Sequence, residues 1–202
     1  MNVKARSSKA EARTQAQRER ILCAAQQCFI EFGFHAAGMA KIAETAGMSP
    51  GLIYRYFENK SAIIQAIVER QLEYLREDIS LNRKIDLTEE MIAGYGRAGG
   101  DDSRRLNASL LLELSAEATR DPQIAAAVLN FDEGLRHALH DWLMRSKDEG
   151  GHALPPALVP PRALILQLLF EGLRVRETRQ PNLDRQLLSA ALHEVIPRLL
   201  EP

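Results

Sequence analysis

The chain has 202 residues, 46% of them hydrophobic, and a formal net charge of −1. This length and apolar content suffice for one large domain or two small ones with a filled core. The densest apolar stretch, residues 163–170, is far shorter than the roughly 20 residues of a membrane-spanning helix. The charged start of the chain also does not resemble a signal peptide. We therefore expect a soluble, cytoplasmic protein with no membrane partner.

The charge is unevenly distributed along the chain. Residues 1–60 contain nine Lys/Arg and five Asp/Glu, a net charge of +4. Residues 61–202 contain 17 basic and 22 acidic residues, a net charge of −5. A basic segment joined to an acidic body is typical of a protein that contacts nucleic-acid phosphates through one end. The distribution favours a DNA-binding segment at the start of the chain.

The first residues, 1–11, are polar and basic without periodicity, and we expect them to form a mobile basic arm. From residue 12 onward, apolar side chains recur at helical spacing until Gly33. Glycine is a common helix terminator, so the pattern predicts a first helix that ends there.

Residues 38–60 have the pattern of two short helices around a glycine turn. Ala43 is small enough to let the two helices approach, and Gly47 supplies the positive φ of the turn. Ile53 anchors the second helix on the first. Together with the preceding helix, the pattern predicts a three-helix helix-turn-helix unit over residues 12–59, whose second short helix enters a DNA major groove.

The remainder, residues 60–202, is predicted to be a helical body for ligand binding and dimerisation. A long amphipathic helix over residues 60–81 connects it to the DNA-binding unit. Five further helices are expected at about 88–98, 104–120, 122–147, 162–179 and 183–200. No strand alternation is longer than chance, so the predicted fold is all-α with about nine helices.

The last two predicted helices are apolar over more of their circumference than a one-sided surface helix needs. One side can cover the body, and the other most simply covers the same pair of helices in a second copy, as a symmetric four-helix interface. The alternative is a monomer that folds around both helices. The predicted interface residues are Leu168, Leu169, Leu188, Leu192 and Val195.

Two stretches of the DNA-binding unit share a known pattern. They are Ile21-Leu22-x-Ala24-Ala25-x-x-x-Phe29-x-x-x-Gly33-Phe34 and Ile42-Ala43-x-x-Ala46-Gly47-Met48-Ser49-x-Gly51-x-Ile53-Tyr54-x-Tyr56-Phe57-x-x-Lys60. Together they resemble the N-terminal DNA-binding domain of TetR-type transcriptional regulators, over roughly residues 14–70. The resemblance implies a homodimer, not an enzyme, that represses from a palindromic double-stranded DNA operator until a small-molecule effector releases it. The alternative is a DNA-binding protein of the same fold that a protein partner controls or that no ligand regulates.

The resemblance also implies the DNA contacts. The Tyr54 and Tyr56 hydroxyls and the Lys60 ammonium, at the start of the long helix, contact phosphates. The groove-facing stretch comprises Ser49, Pro50, Gly51, Leu52 and Arg55. The Arg55 guanidinium either pairs with guanine or contacts a phosphate.

One position departs from the family pattern. Gly38 stands where family members commonly have a Thr or Ser that opens the first motif helix and contacts phosphate. Glycine still caps a helix but has no hydroxyl for that contact. Lys41 and the basic residues of the arm and first helix, Arg18 among them, are the candidates to compensate.

The ligand pocket that the resemblance implies lies in the body. Glu113 and Glu117 are four residues apart on a leucine-rich helix. They are either pocket carboxylates for a cationic ligand or part of a solvated face. Phe131, Trp142 and Phe170 either line an apolar cavity or belong to the ordinary core.

No cofactor is expected. His137 and His140 lie three residues apart with Asp141 beside them, a spacing that suits either a metal ion or an ordinary exposed helix face. We predict the second and therefore no metal site.

Overall fold

The computed structural model describes residues 2–80, 86–96 and 107–202, with side chains placed except in 2–10, 75 and 78–80. The nine α-helices of these residues are α1 (Asn2–Ala36), α2 (Met39–Thr45), α3 (Pro50–Tyr54), α4 (Lys60–Ser80), α5 (Leu87–Gly94), α6 (Ala108–Ala118), α7 (Pro122–Met144), α8 (Val159–Arg179) and α9 (Arg185–Leu200). The described ranges contain no strand, and the all-α prediction is confirmed. None of their helices has the combined length and apolar character that crossing a membrane requires.

The first helix differs from the prediction at its start and agrees at its end. α1 begins at Asn2, so the backbone of residues 2–11 is helical where we expected a mobile basic arm. The helix is broken at Gly33, whose φ of 75° and ψ of 166° lie in a region that essentially only glycine adopts. The break turns the chain toward α2 and forms a corner, residues Gly33–His35.

Two hydrophobic cores hold the helices together. The first joins α1, α2 and α3 to α4, α6 and α7, and includes Ile21, Ile53, Ile64, Leu110 and Ile124. Because α6 and α7 contribute to this core, it crosses the division that we predicted at residue 60. The DNA-binding unit therefore shares its apolar interior with the body.

The second core joins α5, α7, α8 and α9. Leu188 and Leu192 are buried in it, and Leu169 packs against it. This corrects the predicted dimer interface, because side chains that fill the protomer's own core are not available to a second copy. Leu168 and Val195, by contrast, are exposed.

The start of α7 is confirmed at Asp121-Pro122, and the capping residue Asp121 also connects α7 to α4. The Asp121 carboxylate accepts hydrogen bonds from the backbone N–H groups of Gln123 (2.8 Å) and Ile124 (3.3 Å). It also accepts one from the Ser61 hydroxyl at 2.7 Å, which links the first turn of α4 to α7. These bonds stabilise the charged carboxylate and lower the pKa of Asp121, the Ser61 bond most strongly.

The start of α6 is defined by a side-chain cap. The Asn107 side chain accepts a hydrogen bond from the Ser109 N–H at 2.8 Å and caps the helix, which begins at Ala108. The predicted start at residue 104 and its proposed cap at residues 101–103 lie outside the described residues.

We predict that Gly33→Ala lowers the free energy of unfolding by about 1–3 kcal/mol, because a Cβ strains the backbone at this φ and ψ. The matched control is Gly51→Ala, where nothing lies within 4 Å of the added Cβ. Alanine is the better helix former, so the control is expected to be neutral or stabilising by up to about 1 kcal/mol. Urea unfolding followed by circular dichroism, at one protein concentration, compares the two. Equal stabilities would contradict the role of the corner.

We predict that Ser61→Ala costs about 1 kcal/mol at neutral pH. The folded-state pKa of Asp121 lies below its ordinary value of 3.8. The stability that its bonds supply is therefore complete above that value and is lost as pH falls through the lowered pKa. The difference between wild type and variant should shrink below about pH 3.8. The control Ser115→Ala removes a hydrogen bond to the Leu111 carbonyl. A carbonyl does not titrate, so the stability difference between wild type and this variant should not depend on pH. Unfolding curves between pH 7 and pH 3 measure both.

Candidate nucleic-acid interface

The turn between α2 and α3 has the geometry that the sequence predicts. Ala43 and Ile53 are buried, and Gly47 has a φ of 61°. The N–H of Gly47 donates to the Glu44 carbonyl (3.0 Å), and the N–H of Met48 donates to that of Ala43 (2.9 Å). These bonds satisfy the last carbonyls of α2 and fix the direction in which the chain enters α3.

The start of α3 is defined by its cap. The Ser49 hydroxyl accepts a hydrogen bond from the Leu52 N–H at 3.3 Å, and Pro50 occupies the first helical position. Both residues favour a helix start at this point, because the cap satisfies a free N–H and proline has none to satisfy. Part of the Ser49 hydroxyl's bonding capacity is therefore already used within the protein.

The predicted groove-facing residues lie together on the outer surface of α3 and the residues that follow it. Ser49, Pro50, Gly51, Tyr54 and Arg55 are exposed, while Leu52 and Tyr56 are half-buried. The Tyr54 side chain is 54% exposed, although its neighbour Ile53 is fully buried. The surface thus presents one long cationic donor, Arg55, and one aromatic hydroxyl, Tyr54, on a short helix held by its buried side.

The end of this helix is held by a residue whose role sequence reasoning missed. The Arg18 guanidinium donates to the Tyr56 carbonyl at 3.0 Å and lies 4.3 Å from the centre of the Phe57 ring. We expected Arg18 to supplement the phosphate contacts. The signal for its inward role is its spacing, one helical turn before the buried Ile21 and Leu22.

Lys41 remains at the surface. Its ammonium lies 3.1 Å from the Glu44 carboxylate and 5.3 Å from the Phe32 ring centre. The hydrogen bond and charge of Glu44 raise the pKa of Lys41. The side chain is charged at neutral pH, and a phosphate there competes with Glu44.

Lys60, the phosphate contact expected at the start of α4, is half-buried and directed toward the corner. Its ammonium donates to the Phe34 carbonyl at 2.5 Å and lies 3.9 Å from the centre of the Phe34 ring. Burial lowers the pKa of Lys60, and the negative charge of Glu117 opposes that shift. The Phe34 carbonyl takes one of the three N–H donors of the ammonium.

Glu113 is half-buried and Glu117 is buried, so this side of α6 is not fully solvated. The Glu113 carboxylate accepts the Phe34 N–H at 3.1 Å. The Glu117 side chain is 8% exposed and lies 2.9 Å from His35 Nε2, with Arg120 at 3.8 Å. The pairing of Glu117 with Arg120 is local to the helix, whereas the contacts with Phe34 and His35 join α6 to the corner.

A small cavity lies between α4, α6 and α7 and has a volume of about 20 Å³. Its lining is Val68, Leu111, Leu114, Ser115, Val128, Phe131 and Asp132. A volume of this size holds about one water molecule. Asp132 is the charged residue of the lining, and burial raises the pKa of its carboxyl, with Arg136 opposing the shift.

The three aromatic residues predicted for an apolar cavity are not brought together there. Phe131 lines the cavity. Trp142 is buried in the second core, where its indole N–H donates to the Gly150 carbonyl at 3.1 Å, and Phe170 packs against the same core. The ordinary-core interpretation therefore holds for Trp142 and Phe170.

No metal site emerges within the described part of the chain, where no three His, Cys, Asp or Glu side chains form a group that could hold an ion. His137 Nδ1 lies 2.7 Å from the Glu133 carbonyl of its own helix. His140 Nδ1 is 3.8 Å from the neighbouring Asp141 carboxylate. The two histidines have local helix partners and do not converge.

Comparisons with known proteins match both parts of the chain. Residues 21–67 match the family model of bacterial regulatory proteins of the tetR family, and residues 98–201 match the C-terminal model of BetI-type transcriptional repressors. Among curated relatives, the transcriptional regulator UidR of Escherichia coli strain K12 is 37% identical over 59% of this chain. The match spans 61% of UidR's own length. The repressor AcnR of Corynebacterium efficiens is 27% identical over 66% of this chain and 67% of its own.

The same relationship extends to a solved structure. The structure of Salmonella enterica GusR superposes with a TM-score of 0.67 and 25% identity, over 92% of this chain and 95% of GusR. The second family model alone matches more than half of the 202 residues. The chain belongs to the TetR family, whose members are DNA-binding transcriptional regulators and not enzymes.

Proposed function

We propose that the protein is a homodimeric repressor that binds a palindromic operator in double-stranded DNA. The observation that carries the proposal is the outer surface of α3, which is exposed while its inner side is fixed by Ile53 and by Arg18. A recognition element must keep its shape to read base edges in the major groove. The match of the body to BetI-type repressors supports repression over activation.

The proposed DNA contacts follow from exposure and chemistry. They are Lys41, Ser49, Pro50, Gly51, Leu52, Tyr54, Arg55 and Tyr56. Arg55 is assigned to a base, because it is exposed at the end of α3 and a guanidinium matches guanine bidentately. The two tyrosines and Lys41 are assigned to phosphates. Lys60 is added to this set as a phosphate contact, because the Phe34 carbonyl takes only one of its three N–H donors.

The exposed faces of α8 and α9 support the homodimer. Leu164 and Leu168 lie one turn apart on α8, and Leu187 and Val195 lie two turns apart on α9; all four are exposed. The Arg162 guanidinium donates to the Leu199 carbonyl at 3.2 Å, so the start of α8 is adjacent to the end of α9. Two such antiparallel pairs from two copies would form a four-helix interface around a twofold axis.

Release by a small-molecule effector is the second element of the proposal, with residues 60–202 as the effector and dimerisation region. The cavity between α4, α6 and α7 supports a site there, because its walls are apolar and Asp132 adds one charged group. At about 20 Å³ the cavity is much smaller than a metabolite. Effector binding therefore requires α4, α6 or α7 to move.

The alternative is a regulator of the same fold that no small molecule controls, and the small cavity is the observation that favours it. The two are distinguished by adding apolar and cationic metabolites to the operator complex and measuring its dissociation by fluorescence anisotropy. Release by one compound class supports the effector site. Stable complexes throughout, together with repression in cells, support control by a partner or no control.

We predict that Arg55→Ala removes the preference for one base pair per half-site, worth about 1–3 kcal/mol, and leaves binding to other sequences nearly unchanged. The measurement is competition binding with operators substituted at each position. Lys147→Ala, which removes an exposed cation in the short 3-10 helix Lys147–Glu149 after α7, controls for net charge. An equal loss on every sequence would show that Arg55 contacts a phosphate.

We predict that Leu168→Glu converts the dimer to monomers, because it places a carboxylate in an apolar interface without a partner. Leu129→Glu on α7 is the matched control, since Leu129 is 55% exposed and Leu168 is 57% exposed. Light scattering coupled to size exclusion gives the mass of each variant. A Leu168→Glu protein with the wild-type mass would contradict the proposed interface.

A further inference from the structure

The corner at residues Gly33–His35 is where the DNA-binding unit meets the body, and two carboxylates of α6 contact it. Glu113 accepts the N–H of Phe34, the residue after the break in α1. Glu117 lies 2.9 Å from the ring nitrogen of the next residue, His35. Adjacent residues of the corner are therefore held by side chains one turn apart on a single helix.

The carbonyl group of Phe34 is held by α4. Lys60 donates to the Phe34 carbonyl, and its ammonium lies over the Phe34 ring. Phe34 is thus bound through its N–H by α6 and through its carbonyl by α4. Hydrogen bonds to charged groups are directional and about twice as strong as those between neutral groups. The corner consequently has one preferred position relative to both helices.

The body supplies the fixed side of these contacts. On α6, Leu110 and Leu114 are buried in the first core, so the helix that carries both glutamates has little freedom of its own. A separate bond, from Ser61 to Asp121, holds the first turn of α4 on the start of α7. The Ser61 bond thus connects α4 to α7, and the two carboxylates connect the corner to α6.

We propose that Glu113 and Glu117 are positioning residues that determine the half-site spacing that the dimer accepts. The inference rests on the proposed homodimer. In a dimer held through α8 and α9, the distance between the two α3 helices depends on how each DNA-binding unit is oriented on its body. Paired recognition helices read half-sites about one turn of DNA apart, so a change in this orientation changes the preferred spacing.

The test is selection from a pool of random-sequence DNA duplexes with purified full-length protein, followed by sequencing. Wild type is expected to recover paired half-sites at one spacing. Glu113→Ala should recover the same half-site sequence over a wider set of spacings, differing by about one base pair or more. Its affinity for the wild-type spacing should fall about tenfold. Glu113→Gln should restore the wild-type spacing, because its amide oxygen accepts the Phe34 N–H.

A matched control lies at the other end of the body. Glu177 is 3% exposed, accepts the N–H of Gly96 at 3.0 Å and pairs with Arg174 at 2.7 Å. Like Gly33, Gly96 has a positive φ, here 73°. Glu177→Ala therefore removes a comparable contact in α8 that does not involve the DNA-binding unit. It should lower stability while leaving the spacing unchanged.

His35→Ala provides a second variant that does not depend on the folding of Glu113→Ala, because the His35 side chain is largely exposed. It removes the contact between Glu117 and the corner and should also widen the set of accepted half-site spacings. Wild-type spacing in both Glu113→Ala and His35→Ala overturns the inference while the proposed homodimer stands. A wild-type pool without paired half-sites overturns the homodimer, and this inference with it.

Discussion

The backbone break at Gly33 is the constraint on which the arrangement of the DNA-binding unit depends. A continuous helix would keep the Phe34 N–H and carbonyl within its own hydrogen-bond pattern. The φ and ψ of Gly33 instead direct these groups toward Glu113 on α6 and Lys60 on α4. Gly33 thereby allows the next residue, Phe34, to connect three helices. Any side chain at position 33 would strain this backbone conformation.

The charged groups contribute more to the specificity of this connection than to its stability. Removing an ammonium and carboxylates from water is costly, and their mutual attraction often only balances that cost. For Lys60 the balance is visible, because burial lowers its pKa while Glu117 raises it. Loss of one partner would leave a poorly solvated charge, so alternative positions of the corner are disfavoured even though the native one gains little. Such an interface favours one orientation while contributing little to the net free energy of folding.

The local sequence pattern predicted the features that depend on residues close together in the sequence. The turn at Gly47 and the start of α7 at Asp121 rest on φ preference and capping within four residues, and both were correct. The contact of Glu113 was not predicted because its partner, Phe34, is 79 residues away. Periodicity shows that a helix has two faces but not which element covers each one. The same limit applies to Leu192, which the protomer's own core buries.

The position of α6 between two different environments links the cavity to the corner. Leu111 and Ser115 face the cavity, whereas Glu113 and Glu117 contact the corner. The helix has only eleven residues, so neither face can shift by much without the other. An effector that enlarges the cavity has to displace α4, α6 or α7, and displacement of α6 moves both carboxylates. The contacts between α6 and the corner would then change, which is a physical route by which the proposed effector would release the operator.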